Sequence, residues 1–129
     1  MTEENKKLLL KDLCSRLPYK VKCQVYDDPL PLTLSGIIPS RVYQELYFEE
    51  MDYKECDGFV DIKYSKPYLF PFSSMTDEQK AELSMLVVGV EDIFKSFLIE
   101  VEFYHKHHID YRGLIEKSLA LDATVLNIY

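Results

Sequence analysis

The sequence is short of glycine and proline, with four and six in 129 residues, too few for a low-complexity linker or a collagenous repeat. Cysteine is scarce as well. Cys14, Cys23 and Cys56 show no CxxC spacing, which argues against a zinc knuckle or a thioredoxin-type pair and fits reduced thiols in a cytoplasm. Positive charge is in deficit, 15 Lys and Arg against 22 Asp and Glu, for a net charge of −7. Such a chain is a poor wrapper of duplex nucleic acid, because that binding replaces condensed counterions with Lys and Arg. No apolar run reaches the length of a membrane span. Lys11 and Asp12 cut short the run Leu8-Leu9-Leu10, so neither a signal peptide nor a membrane partner is expected. The motifs GxSxG, GxGxxG, HExxH and the P-loop are also missing.

What is present describes one α+β domain over residues 1–129. Hydrophobic residues at 47% and charged residues at 29% are globular values. Residues 2–16 read as a helix, with Thr2 as cap, Glu3 and Glu4 in the first turn and Pro18 behind it. The apolar period then falls to two over 21–25, 32–38, 42–48 and 59–64, which predicts four antiparallel strands curling into a barrel-like sheet. Gly36 marks a bulge or bend. Residues 66–72, Lys66-Pro67-Tyr68-Leu69-Phe70-Pro71-Phe72, hold two prolines and are expected as an extended strap rather than a central strand.

Thr76 with Gln79 forms a capping box that opens a helical pattern over 77–105. Unbroken, it would run about 43 Å against a radius of gyration of about 14 Å. The long C-terminal helix must therefore break near Gly89 or overhang the body. Its apolar residues exceed what one core face needs, which opens a homodimer through this region. Beyond it the tail turns at Gly113 and, being apolar to Tyr129, is expected to dock.

The segments Lys66-Pro67-Tyr68-Leu69-Phe70-Pro71 with Ser73-Ser74-Met75-Thr76, and His107-His108-Ile109-Asp110-Tyr111-Arg112-Gly113-Leu114-Ile115-Glu116-Lys117, carry a resemblance. Together with the ending Leu119-Ala120-Leu121-Asp122-Ala123-Thr124, they resemble a family of small uncharacterised proteins of gut Bacteroidales bacteriophages and prophages. The resemblance implies a host-cell cytoplasmic setting and no mechanism.

Three clusters carry candidate chemistry. Arg112 is the only arginine after Arg41 and can grip a phosphate or carboxylate bidentately. With Lys66, Tyr68, Asp110 and Tyr111 it is a candidate pocket for a small anionic ligand such as a signalling nucleotide, against a competing role in pinning the tail to a nearby acid. The acids Glu49, Glu50, Asp52, Glu55 and Asp57 form a candidate surface for a basic host defence protein, or a solvated hairpin. His105, His107 and His108 with Asp110 could serve a metal-dependent hydrolase, but they lack a remote ligand and read more simply as a polar helix end. No catalytic residue, metal or cofactor is assigned. The expected function is non-enzymatic binding by a phage accessory protein, sequestering a nucleotide or inhibiting a host defence protein.

Overall fold

The computed structural model describes residues 1–39, 44–51 and 59–129. Thr2 starts the first helix as expected: its hydroxyl accepts the Asn5 N–H at 3.1 Å, ahead of α1 (Glu3–Arg16). The apolar stripe of α1 buries Leu9 and Leu13, and Asp12 and Arg16 lie on the same buried face. A 3₁₀ turn at Leu17–Tyr19, with Pro18 in it, ends the helix.

Four antiparallel strands follow in meander order: β1 (Lys22–Val25), β2 (Asp28–Pro39), β3 (Gln44–Phe48) and β4 (Val60–Asp61). The β2–β3 register slips between Leu34 and Gly36, the irregularity expected there. β4 is shorter than the alternation over 59–64 predicts, because the Asp61 carboxylate accepts the Lys63 N–H and winds Ile62–Tyr64 into a 3₁₀ turn. The N-terminal end of the third expected strand, Val42 and Tyr43, lies outside the described residues.

Two expectations are corrected. The segment read as a strap is a strand in the interior of the sheet, β5 (Ser65–Pro71), antiparallel to β1 and parallel to β6 (Ile109–Asp110) and β7 (Leu121–Asp122). Proline is tolerated because only alternate residues donate to a given neighbour. Tyr26 N–H donates to the Tyr64 carbonyl, so Tyr64 and Lys66 face β1 while the donorless nitrogen of Pro67 faces away. Pro71 stands at the end of the strand. The sheet, secondly, is not a barrel: its order is β4-β3-β2-β1-β5-β6 with β7 also on β5. β5 occupies the edge of β1 that closure onto β4 would need, so the mixed sheet stays open.

The core lies between α1 and this sheet, where Leu9, Leu13, Val21, Cys23, Leu34, Leu46, Phe48, Val60, Ile62 and Leu69 pack in one cluster. The C-terminal helical pattern breaks. Thr76 Oγ1 accepts the Gln79 N–H and Gln79 Oε1 accepts the Thr76 N–H, completing the capping box of α2 (Asp77–Val87). Gly89 then takes φ +77°, a left-handed value suited to glycine. Asp92 recaps α3 (Ile93–Lys106) by accepting the Phe94 N–H. The hairpin also overhangs: no residue of α2 is buried, and only Phe103 of α3 is.

The tail docks. The Tyr129 hydroxyl accepts the Lys22 N–H at 2.8 Å and donates to the Tyr68 carbonyl at 2.9 Å, bridging β1 and β5 where their ladder parts. Its ring stacks on His108 at 3.9 Å. Among the described residues no helix is long and apolar enough to cross a membrane.

Candidate functional site

The residues expected to form one anion pocket are split between β5, which carries Lys66 and Tyr68, and β6 with the residues after it, which carry Asp110, Tyr111 and Arg112. Lys66 pairs with Gln24 of β1, whereas Pro71, five residues on, pairs with Asp110 of β6. At about 3.3 Å per residue this separates the two ends by about 16 Å. Lys66 lines a cleft with Gln24, Tyr26, Asp27, Lys63 and Tyr64. Tyr68 is itself buried and forms part of the wall of a cavity of about 580 Å³ beneath Leu126, Asn127 and Ile128. Asp110 and Tyr111 border a third, of about 460 Å³, beside Phe72 and Glu116.

Arg112 is spent on structure. Its Nη1 donates to Asp12 Oδ1 at 2.8 Å, pinning the tail to α1. The other Asp12 oxygen accepts from Arg16 Nε at 2.9 Å, and both of these side chains are fully buried. Arg16 donates further to the carbonyls of Tyr104 at 3.3 Å and Ile109 at 2.6 Å, so one guanidinium joins α1, α3 and β6. The Tyr111 ring lies against both guanidinium groups, at 5.8 Å from Arg16 and 4.8 Å from Arg112. Asp110 is equally engaged, because its carboxylate accepts the N–H groups of Leu114 and Ile115, both at 2.9 Å, across the turn at Gly113.

The histidines diverge. His105 Nε2 meets the Tyr111 hydroxyl at 2.6 Å, His107 packs on the Phe103 ring and His108 stacks on Tyr129. No three His, Cys, Asp or Glu side chains gather as metal ligands among the described residues. Burial, helped by the positive charge of Arg16, pushes the pKa of both His105 and His108 down to about 4, so both are neutral at pH 7. The unfolded chain, with histidine near 6.5, then binds more protons than the folded one between pH 6.5 and 4. Stability should therefore be fully present above about pH 6.5 and fall as the pH drops towards 4. A melting-temperature series over that range checks this, and His108→Gln should flatten the slope.

Among the described residues, Cys14, Cys23 and Ser74 are not poised as nucleophiles, and Cys56 lies outside them. Burial raises Cys23 to about 12 and raises Cys14 as well, and Ser74 Oγ donates to the Pro71 carbonyl. On the acidic surface, both oxygens of Glu50 accept the Thr33 N–H. Burial opposes the Glu50 charge, and these bonds outweigh it to leave the carboxyl below its ordinary range. Glu49 stands 3.9 Å from Lys20. Asp52, Glu55 and Asp57 lie outside the described residues.

Two surface features stand out against this structural network. One is the cleft around Lys66. The other is the hairpin of α2 and α3, whose Met85, Val88, Ile93, Phe94, Phe97 and Leu98 are 61–77% exposed. The excess of apolar helix residues gave the signal for the second. Compared with protein-family models, with curated proteins and with solved structures, the chain matches none.

Proposed function

We propose that the protein is a binding protein that works as a homodimer through the α2–α3 hairpin. The observation that carries this reading is the exposure of those six large apolar side chains on one projecting element. Exposed apolar side chains gathered on one element, rather than scattered singly, mark an interaction site.

A second copy is the occupant that fits. A two-fold interface asks only that a patch complement itself, and an apolar patch does so without any charge pattern. Two hairpins packed face to face make a four-helix bundle, whose core would be these side chains. A membrane surface fits less well, because Glu91 and Asp92 stand at the hairpin tip and Glu78 and Glu82 lie along α2, where anionic headgroups repel them. Size-exclusion chromatography with light scattering tests the reading. Twice the mass of one chain, held on dilution into the low micromolar range, is expected; the mass of one chain at all loadings would refute it.

A further inference from the structure

The cleft around Lys66 contains a pairing that neither the fold nor the hairpin requires. β1 and β2 are joined by a two-residue turn, Tyr26-Asp27, in which both residues take positive φ, +53° and +64°. Such hairpin turns favour Asn-Gly or Asp-Gly, and a bulky residue at positive φ is strained. Here the strained position holds a tyrosine that remains 60% exposed. Its ring leans on that of Tyr64, 46% exposed, with centroids 5.0 Å apart. Lys63 Nζ stands 5.0 Å from the Tyr64 centroid, and Lys66 lines the same cleft. Neither lysine has an ion-pair partner among the described residues, although the chain carries seven excess negative charges.

We infer that this cleft binds a small nucleoside phosphate, with the base on the Tyr26–Tyr64 pair and the phosphate between Lys63 and Lys66. The three parts of such a ligand match three kinds of group here. An aromatic base stacks on exposed tyrosine faces whatever its sequence identity. A phosphate is met by two ammonium groups not already neutralised by acids. The Asp27 carboxylate, also in the lining, supplies an acceptor for sugar hydroxyls. The cleft measures about 190 Å³, below the 300–1,000 Å³ of pockets that enclose a drug-sized ligand, so it holds one nucleotide partly exposed. A longer polyanion would meet the repulsion of the acidic remainder of the surface.

This inference goes beyond the homodimer and is independent of it, since the cleft belongs to the sheet and not to the hairpin. The test is titration of the isotope-labelled protein with AMP, adenosine and ribose 5-phosphate, followed by amide chemical shifts. AMP should shift Tyr26, Lys63, Tyr64 and Lys66 with a Kd on the order of 1 mM or tighter, and each half-ligand should bind about tenfold more weakly. Tyr64→Ala and Lys66→Gln should each weaken AMP by about tenfold, while Arg112→Ala should not, provided its spectrum remains folded. No shift at ~5 mM AMP, shifts centred elsewhere, or adenosine binding as tightly as AMP would each overturn the assignment. Tighter binding of oligothymidylate than of AMP would overturn the small ligand in favour of a single strand.

Discussion

Asp12→Ala is expected to destabilise the protein by about 3–5 kcal/mol, because it leaves the fully buried Arg16 guanidinium without a counter-charge. Against the usual total of about 5–15 kcal/mol, that approaches loss of the fold at physiological temperature. The size follows from burial and not from the ion pair as such: exposed pairs contribute about 0–1 kcal/mol, whereas an abandoned buried charge must be desolvated without compensation. Arg112→Ala should cost less, about 1.5–3 kcal/mol, since Asp12 keeps Arg16 as its partner and Arg112 is itself partly exposed. Urea unfolding of the two variants checks the order. Equal losses would mean that Arg112 and not Arg16 carries the buried cluster.

The second large effect is on association. Phe94→Asp combined with Phe97→Asp places two charges in the middle of the proposed bundle. Each truncation of a central aromatic anchor typically costs about 2 kcal/mol or more, and both copies carry both changes, so the dimer dissociation constant should rise by well over about a thousandfold. Both side chains are more than 60% exposed in the single chain, so its circular dichroism should not change. Sedimentation velocity reads the outcome: a folded monomer is expected, and an unchanged dimer would place the interface elsewhere.

Much of this was legible from residue patterns, and the failures have identifiable physical causes. Thr2, the Thr76–Gln79 box and Gly89 are local signals, and each does in the structure what its chemistry dictates. The β1-to-β4 meander came from twofold alternation, which is also local. The role of β5 was missed because its two prolines argue against an interior strand, and only the pairing partners reveal that their nitrogens face away from β1. β6 and β7 are two-residue strands that no periodicity can mark. Asp12 and Arg16 went unnoticed, although Leu9, Asp12, Leu13 and Arg16 follow the three- and four-residue steps of one helix face. Charged residues on an otherwise apolar face are the signal of a buried pair. Arg112 does pin the tail, but to an acid 100 residues away in sequence, Asp12; such a contact has no trace in a single sequence. The neighbours of Lys66 in the cleft come from β1, the turn after it and the 3₁₀ turn before β5, a grouping that no sequence spacing marks.

The central claim is that the exposed face of α2 and α3 is covered by the same face of a second copy. An isotope-filtered nuclear Overhauser experiment on a mixture of labelled and unlabelled chains measures that contact directly. The account predicts intermolecular cross-peaks joining the methyl groups of Met85, Val88, Ile93 and Leu98 to the rings of Phe94 and Phe97. Intermolecular cross-peaks confined to other surfaces, or none at concentrations where the mass is that of two chains, would contradict it.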